Sequence, residues 1–168
     1  MNIFPEVSGD FDAISALVET AFGRPQEARL VETLRKTGRL AVALAGFDRG
    51  GMLAGYAALT VVSVGSLHGR ALGLGPVAVM PRKQRRGFGA ALIKAALRAA
   101  KEAGFGAVFV LGDPEFYGKF GFTRADVYGL ACEYDTPKEF FLALELVPGA
   151  LKEARGTIHY AREFASCV

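Results

Sequence analysis

A strand, a basic glycine turn and a helix follow one another between residues 71 and 104. The three segments read ALGLGPVAVM (71–80), PRKQRRGFG (81–89) and AALIKAALRAAKEAG (90–104). Gly104 stands where a helix commonly ends in a left-handed residue, and the apolar run 107–111 is typical of a strand buried on both faces. This order predicts a βαβ unit with two parallel strands. One face of the predicted helix carries apolar residues at helical spacing: Phe88, Ala91, Leu92, Ala95, Ala96 and Ala99.

Two amphipathic helices and a β-hairpin are predicted ahead of this unit. Residues 10–22 carry apolar side chains at helical spacing, with Asp10 as the candidate N-cap. The second helix has Pro25 in its first turn and Gly38 as its stop. From Leu40 the apolar period becomes two, and a turn at 48–51 leads into a second strand.

The residues after Gly112 predict a short helical turn and three further strands. The turn of helix ends near Phe120, and the strands are expected around 121–124, 130–133 and 140–147. The chain contains no repeat, low-complexity tract or linker. We therefore expect one α+β domain with a mixed sheet over residues 1–168.

Composition and charge exclude several classes of protein. A chain of 168 residues that is 51% hydrophobic can fill a core without metals or disulfides. The 20 basic residues exceed the 17 acidic ones by three, a surplus too small to indicate nucleic-acid binding. Cys132 and Cys167 lie far apart and form no CxxC or Cys/His cluster, which predicts neither a zinc site nor a disulfide framework. A reducing, cytoplasmic location is expected.

Two stretches of the sequence bear on export and on membrane insertion. Glu6, Asp10 and Asp12 follow the start at once, which is wrong for a signal peptide. Residues 50–69 contain no Asp, Glu, Lys or Arg over 20 positions, about the length of a membrane span. Their five glycines and several β-branched residues favour a strand, so we expect no membrane association.

The basic turn before the helix predicts an anion site, because the N–H groups at a helix start are unpaired and carry partial positive charge. A P-loop would need Lys and Ser or Thr after its second glycine, where this sequence has Ala90 and Ala91. A dinucleotide fingerprint would need Gly or Ala at position 92, which is Leu92. The pattern that remains is Gln84-x-x-Gly87-x-Gly89.

That pattern resembles the pyrophosphate-binding motif of the GNAT superfamily of N-acetyltransferases. Pro76 lies in the middle of the preceding strand and cannot donate a ladder hydrogen bond, so the strand should be bulged there, as the corresponding GNAT strand is. The stretches Asp113-Pro114-x-x-Tyr117-x-x-Phe120-Gly121-Phe122 and Glu27-Ala28-x-Leu30-Val31-x-x-Leu34-Arg35 are similar to those of a YhbS-like bacterial branch. The resemblance spans residues 24–122.

The resemblance implies a mixed, mostly antiparallel central sheet with a splayed parallel strand pair, flanked by helices. It also implies acetyl-CoA as co-substrate and no metal. Arginine pairs bidentately with phosphate, which makes Arg85 and Arg86 the best phosphate partners, whereas Lys83 is expected to be solvated. The implied contacts with acetyl-CoA comprise a strand segment and the turn: Val77, Ala78, Val79, Arg85, Arg86, Gly87, Phe88, Gly89 and Ala90.

The resemblance places the Tyr117 phenol beside the sulfur of the cofactor, as a hydrogen-bond donor to the departing thiolate. Full proton transfer from a phenol of pKa about 10 to a thiolate of pKa about 8.5 is uphill by roughly 2 kcal/mol, so stabilisation is the larger contribution. The competing interpretation is a core aromatic packed with Phe116, Phe120 and Phe122. A main-chain N–H near Ala78 is the candidate donor to the thioester carbonyl.

The general base is open, because residues 72–80 lack the glutamate that many GNAT members carry on this strand. Glu27, Glu32, His68, Asp113 and an ordered water are candidates. The acceptor is expected to be an amine, of a small molecule or a protein, and a homodimer is implied by resemblance only. His159 and Cys132 are interpreted as structural, and Cys167 as a thiol of the tail.

Two other functions compete with acetyl transfer as interpretations of the sequence. A non-catalytic acyl-CoA-binding regulatory domain is the alternative, supported by the missing strand glutamate. Nucleic-acid binding through the basic turn would require aromatic stacking platforms beside it, and the sequence offers only Phe88, on the apolar face of the helix.

Overall fold

A seven-stranded sheet forms the centre of the molecule. The computed structural model describes residues 1–65 and 70–167, so that His68 lies outside the described residues. In spatial order the sheet runs β1-β2-β3-β4-β5-β8-β6. Its strands are β1 (Asn2–Pro5), β2 (Leu40–Phe47), β3 (Leu53–Val62), β4 (Ala71–Val79), β5 (Ala107–Leu111), β6 (Thr123–Arg124) and β8 (Phe141–Glu145). A separate pair comprises β7 (Leu130–Cys132) and β9 (Gly156–Ile158).

Helices cover both faces of the sheet. The helices are α1 (Phe11–Phe22), α2 (Gln26–Lys36), α3 (Phe88–Glu102) and the short α4 (Pro114–Gly118). Leu92, Ile93 and Ala96 of α3 pack with Leu59 and Leu72 in one core. A second core on the opposite face joins α1 to the sheet through Ile14, Val18, Tyr56 and Ala58, among others. The sheet is therefore buried between α3 on one side and α1 with α2 on the other.

Strand β4 leaves its parallel neighbour after three residues. Within the described ranges it pairs with β5 through Ala71, Leu72 and Gly73, opposite Ala107, Val108 and Phe109. On its other edge the antiparallel pairing with β3 continues to Val79, with a register shift where Gly75 and Pro76 add an extra residue. The predicted bulge and the splayed parallel pair are thus confirmed, and the end of β4 has one free edge.

Most predicted elements are present, and three details differ. Strands β1 and β9 were not predicted, and the strand predicted around 130–133 is β7, which lies in the separate pair and not in the central sheet. Asp10 occupies the N-cap position of α1 without a side-chain cap bond. In the described part of the chain, no helix combines the length and the apolar composition that a bilayer crossing needs.

Candidate active site

The turn before α3 presents a row of unpaired main-chain N–H groups. Gly87 is the N-cap residue, at φ +83°. Arg85, although not a glycine, also lies in the left-handed region, at φ 60°. The first helical bond runs from the Ala91 N–H to the Gly87 carbonyl at 3.0 Å, which leaves the N–H groups of Phe88, Gly89 and Ala90 without a main-chain acceptor among the described residues. Such a row suits a diphosphate.

The side chain of Gln84 fastens this turn to β4. Its amide nitrogen donates to the Val79 carbonyl at 3.1 Å. The turn is therefore fastened to the strand by a residue that the motif contains but that was not predicted to bind the cofactor. The turn also holds Lys83, whose ammonium lies 3.0 Å from the Asp48 carboxylate, so the prediction that Lys83 is simply solvated is wrong.

A groove of about 370 Å³, named here the turn groove, runs between the end of β4, the turn and α4. Six of the residues predicted to bind acetyl-CoA line it: Val77, Val79, Arg85, Gly87, Gly89 and Ala90. Four more lining residues are Gln84, Ile93, Phe116 and Tyr117. Of the other predicted contacts, Arg86 is exposed, Phe88 is half-buried and Ala78 is buried, and none of the three lines the groove.

The main-chain groups at the end of β4 alternate in direction. The Met80 N–H donates to the Ala54 carbonyl of the β3 side at 2.9 Å. Opposite residues of an antiparallel ladder alternate between bonded and non-bonded pairs, so Ala78 is the next residue bonded to β3, opposite Tyr56. The N–H groups of Val77 and Val79 consequently point to the free edge, toward the space left by the splay.

Tyr117 is held by α4 and by three aromatic neighbours. Asp113 caps this helix by accepting from the Glu115 N–H at 2.9 Å, and Pro114 fits its first position. The Tyr117 ring packs edge-on against Phe116 and Phe122, at centroid distances of 5.0 and 5.7 Å. The packing with Phe116, Phe120 and Phe122 that the competing interpretation predicts is present.

The Tyr117 hydroxyl is nevertheless free to interact. Burial raises the pKa of the phenol above its usual value, and no hydrogen bond from another described residue contributes to the shift. The phenol is therefore protonated throughout the neutral range. A protonated, unengaged O–H in a groove can donate to a ligand atom placed there.

A second cavity, of about 330 Å³, adjoins the turn groove. Val77 and Tyr117 line both, so these two residues lie at the border between the two spaces. Because its wall is rich in aromatic rings, we name it the aromatic cavity; the rings belong to Phe22, Tyr117, Tyr134, Tyr160 and Phe164. Leu30, Leu74, Leu111 and Cys167 are also on its wall, which corrects the interpretation of Cys167 as a thiol of the tail.

Of the base candidates among the described residues, Glu27 is the one that lies on the wall of the aromatic cavity. Its side chain is 8% exposed and accepts from Arg24 Nε at 3.0 Å. Glu32 accepts from the Ser15 hydroxyl at 2.9 Å, and Asp113 serves as the cap of α4. His159 is exposed, and its Nδ1 lies 3.2 Å from the Glu133 carboxylate.

Among residues 1–65 and 70–167, no three Cys, His, Asp or Glu side chains are grouped to hold a metal ion.

Tyr160 has a buried hydroxyl with no partner in the described part of the chain, although its ring borders the aromatic cavity. Burial raises the pKa of this phenol, so folding opposes the ionisation that the unfolded chain undergoes near pH 10. The free energy of unfolding should therefore fall as pH rises past about 10, because the unfolded state then binds fewer protons than the folded state.

In Tyr160→Phe we expect a shallower fall in the free energy of unfolding between about pH 9 and 11 and no loss at pH 7, measured by urea unfolding. Parallel curves for the two proteins would contradict this.

A family model described as an acetyltransferase (GNAT) domain matches residues 6–125. The chain belongs to the GNAT acetyltransferase family. The family assignment made from the Gln84-x-x-Gly87-x-Gly89 motif is confirmed.

Similar proteins agree with this assignment over the whole length of the chain. Over 164 residues the chain is 32% identical to the N-acetyltransferase YhbS of Escherichia coli K12, with 98% of each protein covered. The crystal structure of Escherichia coli YhbS in complex with CoA matches with a TM-score of 0.93, covering 98% of this chain and 91% of that one. A GNAT family acetyltransferase from Brucella melitensis in complex with acetyl-CoA is 28% identical, with a TM-score of 0.81 and 97% of both chains covered. The predicted fold, the N-acetyltransferase class and acetyl-CoA as co-substrate are confirmed.

Proposed function

We propose that this acetyltransferase transfers the acetyl group of acetyl-CoA directly to a primary amine held in the aromatic cavity, with Tyr117 stabilising the departing thiolate. One observation carries the proposal: the turn groove and the aromatic cavity have Val77 and Tyr117 in common on their walls. A thioester extending from the groove and an amine in the cavity would therefore meet beside the Tyr117 phenol. We propose that residues 1–168 form one domain. The cytoplasmic location and the homodimer stay predictions.

The diphosphate of acetyl-CoA would bind at the turn before α3. The N–H groups of residues 88–90 supply donors, and Arg85 lines the groove with an exposed guanidinium. The pantetheine arm would lie along the free edge of β4 in the place of a neighbouring strand. Its partners there would be the main-chain groups of Val77 and Val79. Both features fit a ligand with a charged head and an amide-containing arm.

The chemical step needs a polarised carbonyl and a stabilised leaving group. The amine nitrogen attacks the thioester carbon, the C–S bond breaks with its electron pair going to sulfur, and the amine loses a proton. The Val77 N–H, which points to the free edge, is the donor we assign to the carbonyl oxygen in place of a donor at Ala78. The Tyr117 O–H donates to the sulfur as negative charge develops on it.

The amine must lose its proton before it attacks. A lysine-like amine of pKa about 10.4 is roughly 0.1% neutral at pH near 7.4, a handicap of about 4 kcal/mol. Glu27 is the base candidate that lies on the cavity wall, directly or through an ordered water. Its carboxylate is paired with the Arg24 guanidinium, whose Nε lies 3.0 Å from Oε1.

Amine-dependent thiol release tests the proposed function. Acetyl-CoA and the protein are mixed with and without a primary amine, and both free CoA and the acetylated amine are measured. We expect the two products in equal amounts and release that depends on the amine. Tight binding of acetyl-CoA without acetylation of any amine would instead support the non-catalytic acyl-CoA-binding domain, which the family comparisons do not favour.

Arg85→Ala should weaken acetyl-CoA binding about tenfold, because it removes a charge-assisted contact at a partly solvated site. The matched control is Arg82→Ala, an exposed arginine of the same segment that does not line the turn groove. Calorimetric titration measures both dissociation constants at two salt concentrations. Equal effects of the two substitutions would show that Arg85 acts only through its positive charge, as any nearby basic residue would. That result would contradict a direct contact between Arg85 and the diphosphate.

A further inference from the structure

Charge in the aromatic cavity is limited to one carboxylate. Among the described residues that line it, Glu27 is the one with an Asp, Glu, Lys, Arg or His side chain. Arg24, whose side chain is 50% exposed, already pairs with both of its oxygens. A polycationic amine would have to leave further charges in the cavity without partners, which is costly. The lining is thus suited to an amine with a single charge.

The remainder of the wall consists largely of rings and aliphatic side chains. Three rings form a continuous series, with centroid distances of 5.9 Å between Tyr134 and Tyr160 and 5.3 Å between Tyr160 and Phe164. Phe22 adds a fourth ring at the end of α1, and Leu30, Leu74 and Leu111 complete the apolar lining. Aromatic rings favour both a ligand ring and the face-on approach of a cation. The wall therefore complements an apolar body that carries an amine.

An apolar wall also assists the proton loss that the reaction requires. Transfer from water into a low-dielectric cavity disfavours the ammonium form and lowers the pKa of the amine. The end of β4, Leu74 to Val79, contains no ionisable side chain that could do this work. The effect is largest for an amine whose remaining atoms are apolar, since such a ligand brings no water into the cavity.

We infer that the aromatic cavity selects a small primary amine with a single positive charge and an aromatic body, attached through a short alkyl chain. This inference narrows the acceptor of the proposed function and rests on it. The ring lies among Phe22, Tyr134, Tyr160 and Phe164, and the amine lies toward Glu27 and Tyr117. Polyamines and the side chain of a peptide lysine are disfavoured.

Equilibrium binding tests this selectivity without requiring turnover. The protein is saturated with CoA, and 2-phenylethylamine, spermidine and a short lysine-containing peptide are titrated calorimetrically. We expect 2-phenylethylamine to bind about tenfold more tightly than either competitor, the difference expected from one ring placed among aromatic side chains. Equal or tighter binding of spermidine or the peptide, or no binding of 2-phenylethylamine, would overturn the inference.

A matched pair of substitutions locates the site. Phe22 and Phe140 are 41% and 42% exposed, but Phe22 lines the aromatic cavity and Phe140 does not. Phe22→Ala should weaken 2-phenylethylamine binding about three- to tenfold and leave acetyl-CoA binding unchanged, whereas Phe140→Ala should change neither. Equal effects of the two substitutions on the amine would contradict the location.

Turnover separates a failure of this inference from a failure of the proposed function. If 2-phenylethylamine binds in a Phe22-dependent way but no acetyl product forms with any amine, the site stands and the proposed function fails. If spermidine or the peptide is acetylated with a kcat/KM above that of 2-phenylethylamine, the function stands and the inferred selectivity is wrong.

Discussion

Replacing Tyr117 with phenylalanine should lower kcat about 10- to 100-fold, the loss expected for one hydrogen bond to a charged group. The phenol lines both the turn groove and the aromatic cavity, and burial keeps it protonated by raising its pKa. Its contribution is made as charge develops on sulfur, so the dissociation constant of acetyl-CoA should change little. Steady-state kinetics and calorimetry measure the two quantities on the same preparation.

The control for this substitution removes a tyrosine hydroxyl elsewhere. Tyr128 is half-buried and lines neither space, so Tyr128→Phe should leave kcat unchanged. An unaltered kcat in Tyr117→Phe would contradict this prediction. It would show that Tyr117 is a core aromatic and that residues 113–122 supply no hydrogen-bond donor to the thiolate.

Gly112→Ala should reduce kcat at least as much as Tyr117→Phe. Gly112 follows β5, and a Cβ built on it would lie 2.8 Å from Cδ2 of Tyr117 and closer still to Cε2. Because real side chains do not approach so closely, the Tyr117 ring would have to move out of its position between the two spaces. We also expect a loss of about 1 to 3 kcal/mol in the free energy of unfolding, typical of an overpacked core.

A second glycine close to Tyr117 in the chain is the matched control for Gly112. A Cβ on Gly118 of α4 would have no heavy atom within 4 Å, so Gly118→Ala should retain full activity. In the Tyr117→Phe background, Gly112→Ala should cause no further loss of kcat, because the hydroxyl it displaces is already absent. Full additivity of the two losses would show that Gly112 acts on the reaction by another route.

The local sequence predicted the part of the site that one continuous segment builds. The bulge follows from Pro76, and the anion turn follows from Gly87 and Gly89 at the start of α3. Tyr117 follows from the resemblance of residues 113–122 to known acetyltransferases. Each of these signals lies within a few residues of the structure that it indicates, and for Tyr117 the resemblance supplies what the spacing alone does not.

The aromatic cavity was not predicted, because its rings come from segments far apart in the chain. Phe22 ends α1, Tyr134 follows β7, and Tyr160 and Phe164 follow β9. Their proximity depends on the pairing of β7 with β9, whose residues are some 26 positions apart, and nothing local in the sequence specifies that partner. Strand β1 was missed for a related reason: it is a short edge strand that ends in Pro5 and has little apolar alternation.

The position of the cofactor sulfur tests the account most directly. A crystal structure of this protein with CoA and 2-phenylethylamine would show the sulfur and the amine relative to Tyr117. We predict the sulfur within hydrogen-bonding distance of the Tyr117 hydroxyl, and the amine in the aromatic cavity on the other side of Val77. A sulfur directed away from this junction, with CoA still bound at the turn before α3, would contradict the proposed role of Tyr117 and the acceptor site together.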